Sequence, residues 1–71
     1  MENNSEVARL RQTIEEEYTA AQRVLHAPAM VGSHMFITAR MENIQRAHVQ
    51  LQTLLGEEAA TRLVAETLEN A

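Results

Sequence analysis

The sequence predicts an all-α protein in which an antiparallel helical hairpin is followed by a short third helix. Apolar residues recur in steps of three and four along most of the chain, which is the spacing of one helix face. The few helix-breaking residues, two Gly and one Pro, divide the chain into three such segments. A length of 71 residues leaves no material for a second core. We therefore expect residues 1–71 to form one small helical domain.

The first helix is predicted over residues 6–26. Ser5 is a favourable N-cap residue, and Glu6 follows in the first turn, where the helix dipole favours negative charge. A loop is predicted over residues 27–32, because Pro28 disfavours helix and Gly32 favours a turn. The apolar positions of this helix lie within a stripe about 80° wide; they are Val7, Leu10, Ile14, Tyr18, Ala21 and Leu25.

A second helix is predicted over residues 33–55 and a third over residues 57–69. Ser33 is a suitable N-cap for the second helix, and Gly56 is the residue type that most often follows a helix end. Glu57 and Glu58 would lie in the first turn of the third helix. The stripe of the second helix consists of Ile37, Met41, Ile44, His48, Leu51 and Leu55, and that of the third of Ala59, Ala60, Leu63, Val64, Thr67 and Leu68.

The first two helices carry a second apolar flank beside the stripe through which they pack. The short connection makes them antiparallel neighbours, so equivalent flanks face the same way. An apolar patch of this size requires a cover, which is either the third helix or a second copy of the chain. The flank consists of Thr13, Ala20 and Val24 on the first helix and Phe36, Ala47 and Leu54 on the second.

We expect a second copy to provide this cover, which makes the protein a homodimer resembling a four-helix bundle. A chain with one Phe, one Tyr, no Trp and no Cys builds only a small core, and proteins shorter than about 70–80 residues often associate to complete one. Whether the third helix packs on its own hairpin or is exchanged stays open. The predicted interface residues are Val24, Phe36, Arg40, Ala47, Leu54, Leu63 and Val64.

Three polar residues lie at or near the predicted packing surface. Glu17 and Arg40 occupy border positions on the same flank, within reach of one another, and His48 lies in the middle of the second stripe. We expect an interhelical contact between Glu17 and Arg40, with a polar recognition spot as the alternative. His48 is expected to be neutral and tolerated in the core, or else to act as a ligand or pH switch.

The residue types that are missing exclude several kinds of chemistry. The ten acidic residues are all Glu and the six basic residues are all Arg, so the chain has no Asp, Lys or Cys. These absences exclude an EF-hand loop, a P-loop, a Schiff-base lysine and a thiol nucleophile. His26 and His34 flank the predicted loop, but two histidines without Asp or Cys nearby make a poor metal site. We therefore expect no catalytic activity and no cofactor.

The charge pattern predicts neither nucleic acid nor membrane as a partner. The net charge is −4, and the six arginines are dispersed along the chain instead of forming one basic patch. No apolar run is long enough to span a bilayer, and the first residues, MENNSEVARLRQ, do not resemble a secretory leader. The expected location is the cytoplasm. The segment Gly32–Met35 (GSHM) is either native or a cloning scar.

The function that best fits these features is that of a non-enzymatic interaction protein: an oligomerisation module, adaptor or regulatory subunit. It would bind itself, and another protein, through an apolar helical face. One alternative is a small transcriptional regulator in which Leu55-Gly56-Glu57 forms the turn of a helix-turn-helix. The four glutamates of the third helix argue against DNA binding, because phosphates would repel them. A metal-binding helical bundle is the remaining alternative.

Overall fold

A computed structural model of the chain describes the backbone of residues 2–26 and 33–71, and the side chains of residues 5–26 and 34–71. These residues form three α-helices and no strand: α1 (Glu2–Leu25), α2 (Ser33–Leu55) and α3 (Glu57–Asn70). The prediction of an all-helical fold with three helices is confirmed. The molecule measures 42 × 20 × 19 Å. None of the three helices, over the residues described, combines the length and apolarity needed to cross a membrane.

The helix bounds differ from the prediction at α1. This helix begins at Glu2 instead of residue 6, so Ser5 lies inside the helix and its predicted role as N-cap is wrong. Residues 2–5 contain neither Gly nor Pro, so nothing in this segment stops the helix. Extending the helix gives the amides after Ser5 helical hydrogen bonds, which outweigh an N-cap that stabilises a helix by only about 1 kcal/mol. At the other end, His26 forms a turn after Leu25. The predicted loop at 27–32 and the capping side chain of Ser33 lie outside the described residues.

The core lies where all three helices meet. Each helix contributes two buried apolar side chains, and partly buried residues surround them. The buried set is Leu10, Ile14, Ala47, Leu51, Ala60 and Val64, and the surrounding set is Val7, Ile44, Leu54, Leu63 and Leu68. The third helix therefore packs on its own hairpin. It covers part of the second apolar flank, as one of the two alternatives from the sequence predicted.

The third helix covers only one half of the hairpin. Gly56 alone joins α2 to α3, so α3 turns back along the end of α2 and reaches Leu10 and Ile14 on α1. With 14 residues against 23, α3 is about 14 Å shorter than α2. We call residues 7–17 and 44–55 the covered half of the hairpin, and residues 18–26 and 33–43 the open half.

The predicted stripes are correct at some positions and wrong at others. Leu10, Ile14, Ala21 and Leu51 are almost completely buried, as expected for residues between two helices. The stripe residues Leu25, Met41 and Leu55 are instead exposed. Leu25 and Leu55 are the last residues of their helices, where few side chains surround them, and Met41 lies inside α2 on the half that α3 leaves uncovered.

Candidate functional site

A polar contact between the two long helices joins Glu17 of α1 to Arg40 of α2. The Nε atom of Arg40 lies 2.8 Å from Oε2 of Glu17, and the two side chains are 28% and 21% exposed for Arg40 and Glu17, respectively. The predicted contact is therefore present. The Nε–H group is not aligned for a hydrogen bond, although Nε is shielded from water, so the contact is mainly a charge–charge attraction.

Asn43 adds a third member to this contact. Its Nδ2 atom donates a hydrogen bond of 3.2 Å to the same Glu17 oxygen, and its Oδ1 accepts one from Arg46. Sequence reasoning did not identify Asn43 as a site residue. The signal was nevertheless present, because residues 36, 40, 43 and 47 follow one another in steps of four, three and four along one flank of α2.

The aromatic ring of Phe36 lies one helical turn from Arg40 on the same flank. The Cζ atom of Arg40 is 4.8 Å from the ring centroid, a cation–π distance. Arg40 is thus held between a carboxylate and an aromatic ring. Phe36 itself remains 39% exposed, which is a large fraction for an aromatic side chain in a chain with so few aromatic residues.

Phe36 and Arg40 belong to an uncovered continuation of the groove that α3 fills. On α1, Ala20 and Val24 are half-buried and lie on the flank that faces the same way. Leu25 and Met35, which are 59% and 77% exposed, extend the apolar surface at that end of the hairpin. We call the surface formed by Ala20, Val24, Phe36 and Arg40 the open face.

The structure divides the predicted interface into two groups. Val24, Phe36 and Arg40 lie on the open face. The other four, Ala47, Leu54, Leu63 and Val64, lie in or against the core formed by the three helices of one chain. In this arrangement, α3 occupies the position in which a second copy was expected to contact Ala47 and Leu54, and Leu63 and Val64 are residues of α3 that face its own hairpin.

Of the three polar residues predicted near the packing surface, Glu17 and Arg40 are in contact and His48 is not. His48 lies eight residues after Arg40, about 12 Å further along α2, so Asn43 takes the third place instead. The His48 side chain is half-buried. Among the residues described, its shielded Nε2 atom finds no hydrogen-bond partner. His48 is therefore separate from the Glu17–Arg40 contact, and its role as a tolerated core residue or as a ligand or pH switch stays a prediction.

Two further pairs of charged side chains are exposed, each along a single helix. Glu58 and Arg62 on α3 are 3.2 Å apart, as the i,i+4 spacing favours. On α1, the Arg9 guanidinium donates a hydrogen bond to the Glu6 carboxylate, and this bond together with the charge–charge attraction raises the pKa of Arg9 above its ordinary value. Within residues 2–26 and 33–71, no group of three or more His, Cys, Asp or Glu residues is placed to hold a metal ion.

The outward side of α3 is acidic. Its exposed residues include Glu57, Glu58, Glu66 and Glu69 but only one arginine, Arg62. A shallow depression along this side is lined by residues of α3 alone. A helix with this charge repels phosphate groups, so its surface does not resemble a DNA-recognition helix.

Comparisons of the chain with protein-family models, with curated protein sequences and with solved structures found no match.

Proposed function

We propose that this protein is a non-enzymatic helical interaction module that self-associates through its open face. Two copies would place their open halves against one another, so that the four long helices form a bundle in that region. The observation that carries the proposal is the position of Phe36: the ring is 39% exposed, lies against Arg40, and is on a flank that α3 leaves uncovered. Exposed apolar patches of this kind are typical of protein–protein contacts.

The charges of the open face favour a second copy of the chain as its occupant. The chain carries a net charge of −4, so two copies repel each other over most of their surfaces. On the open face, the Arg40 charge is balanced by Glu17, which lies at its edge. A neutral apolar face suits an isologous contact, in which each copy presents the same surface to the other.

Two further features fit this role. The described concave surfaces are shallow depressions, several of them along a single helix, rather than an enclosed pocket in which a substrate would be held. The chain also has no Cys, so its stability does not depend on an oxidising compartment, and we propose the cytoplasm as its location.

The test is the sedimentation mass of the Phe36→Glu variant. We expect the wild-type chain to sediment as a dimer at micromolar concentration. Phe36→Glu should raise the dissociation constant about 30-fold or more, since it places a charge at the centre of the apolar contact. Helicity measured by circular dichroism should stay unchanged, because Phe36 lies outside the three-helix core.

Val49→Glu is the matched control. Val49 is on α2 like Phe36 and is 48% exposed, but it lies on the opposite side of the helix. This variant should dimerise as the wild type does. A wild-type chain that stays monomeric at about 100 µM, or equal weakening by both substitutions, would contradict the proposal. Wild-type monomers that capture an apolar helical peptide in a Phe36-dependent way would point to a different protein as the occupant.

A mobility-shift assay at low salt addresses the DNA-binding alternative directly. Salt-sensitive retardation of duplex DNA by micromolar protein would favour a transcriptional regulator over an interaction module. We expect no retardation, because the outward side of α3 is acidic.

A further inference from the structure

We propose that α3 is exchanged between two copies of this chain, with Gly56 as the hinge about which α2 and α3 straighten into one helix. In the closed form described here, α3 packs into a groove on its own hairpin. In the exchanged form, α3 of each copy would pack into the same groove on the other copy. This inference does not rest on the proposed function, because it uses the covered half of the hairpin and not the open face.

The connection between α2 and α3 is a single residue that already keeps helical hydrogen bonds on both sides. The Gly56 amide donates to the Gln52 carbonyl at 2.9 Å, and the Gly56 carbonyl accepts from the Ala60 amide at 3.1 Å. Only the bonds from the amides of residues 57–59 to the carbonyls of residues 53–55 are missing from a continuous helix. Straightening would form these three bonds.

The N-terminus of α3 has no substitute for the missing bonds. Its N-cap position is occupied by Gly56, which has no side chain with which to cap the first amides. The bend therefore leaves the first turn of α3 dependent on water for its hydrogen bonds. A straight helix would provide protein partners for the same amides.

The bend is confined to the backbone of Gly56. Its φ of 89° and ψ of 161° lie in a region that glycine adopts readily and other residues avoid. A Cβ atom placed at Gly56 would meet nothing within 4 Å, so no neighbouring atom crowds the hinge itself. Rotation about one residue separates the bent form from a straight helix of about 57 Å running from Ser33 to Asn70.

If α3 straightened away from its hairpin, it would leave an empty apolar groove. The contacts that α3 makes within one chain show what fits that groove. Straightening would expose Ala60, Val64 and Thr67, all buried here, together with their partners on α1 and α2. Among the three described helices, α3 is the one whose side chains fill this groove. A second straightened copy supplies it, and reciprocal exchange buries both grooves with the contacts already present. Such exchange is a low-cost route to a dimer, because each copy reuses contacts that it already makes.

The test compares two hinge variants in a Phe36→Glu background, which removes association through the open face. Gly56→Ala should favour exchange, because alanine avoids positive φ and stabilises a continuous helix. Insertion of Asn-Gly after Gly56 should favour the closed monomer, because the longer turn lets α3 fold back without strain. We expect the dimer dissociation constant of Gly56→Ala to be about tenfold or more below that of the insertion variant in sedimentation.

Small-angle scattering identifies the exchanged form by its length. Dimers of Gly56→Ala should exceed the 42 Å length of the closed chain, and adding Ala60→Leu should abolish them, because Ala60 is completely buried in the groove. A dimer that persists with Ala60→Leu, or a Gly56→Ala chain that stays monomeric at wild-type helicity, would overturn the proposal.

Refolding supplies an independent measurement on the natural hinge, in case Gly56→Ala does not fold. Phe36→Glu chains refolded from denaturant at rising concentration should retain a rising fraction of dimer. Monomer at every refolding concentration would show that α3 stays on its own chain. These outcomes are separable from the proposed function, because loss of the open-face dimer leaves both hinge measurements intact.

Discussion

At the scale of single residues, Arg40 shows how a charge is accommodated on an apolar flank. Its guanidinium contacts Glu17 on one side and the Phe36 ring on another, while part of it reaches solvent. Such a partly shielded pair is more strongly coupled than an exposed one like Glu58–Arg62, whose side chains water screens. In the proposed dimer, the contact with Arg40 would restrain the Phe36 side chain before association and so lower the entropy lost on binding.

His48 provides a test at this scale, because its shielded Nε2 has no partner among the described residues. His48→Leu should raise the free energy of unfolding by about 1 kcal/mol, since an unpaired polar atom in an apolar seam is replaced by methyl groups. Chemical denaturation monitored by circular dichroism measures the change. His26→Leu is the control and should change little, because His26 is exposed and its Nε2 already contacts Gln22. A destabilised His48→Leu chain would show that the imidazole has a polar partner.

At the scale of elements, α3 depends on one small residue for its approach to the hairpin. Ala60 is completely buried at the contact with both α1 and α2, and a larger side chain there has no space. Thr67, two turns later, is buried as well, and its hydroxyl is satisfied by the Leu63 carbonyl at 2.8 Å. The buried side of α3 is therefore well packed from Ala60 to Thr67.

Ala60→Leu should consequently destabilise the fold by about 1–3 kcal/mol through overpacking. Ala65→Leu adds the same side chain to the exposed side of α3 and should change stability by less than about 0.5 kcal/mol. Urea denaturation of both variants measures the difference. Equal effects at the two positions would mean that α3 does not pack in this orientation.

Element positions could be predicted from sequence where local signals were strong, as with Gly56 at the end of α2 and the glutamates that begin α3. The contact between Glu17 and Arg40 was also predictable, because the two residues occupy matching border positions on antiparallel helices. Which cover lies over the second flank was not predictable. Ala47 and Leu54 would be removed from water equally well by α3 or by another chain. The spacing of apolar residues shows that these side chains are covered, but it does not show which helix covers them.

At the scale of the whole molecule, a third helix packs against only one half of the hairpin. Three helices surround the core at Leu51 and Ile14, whereas two helices alone form the open half around Ala21. Ala21 is fully buried even there, so the two long helices approach closely along that half. Chains of this size bury a small fraction of their surface, and association through the open half would add to it.

The thermal midpoint of the wild-type chain should therefore depend on its concentration. For a dimer that dissociates on unfolding, each tenfold rise in concentration adds about 1.4 kcal/mol to the apparent stability, and a domain of this size should show a shift of several degrees. Thermal unfolding followed by circular dichroism at 222 nm, at chain concentrations from about 5 to 500 µM, tests this prediction. Phe36→Glu, as the reference, should show a much smaller shift over the same range, because association through the open face is lost. A flat wild-type response over the same range would indicate a monomer.

The single-residue link at Gly56 also has a kinetic consequence. Seven residues separate Leu25 from Ser33, but only one separates α2 from α3, so pairing α3 with α2 closes almost no loop. Contacts this local form early, and proteins that are rich in them fold fast. We therefore expect the arrival of α1 on the paired α2 and α3 to limit the rate of refolding, with a barrier that includes the burial of Leu10 and Ile14.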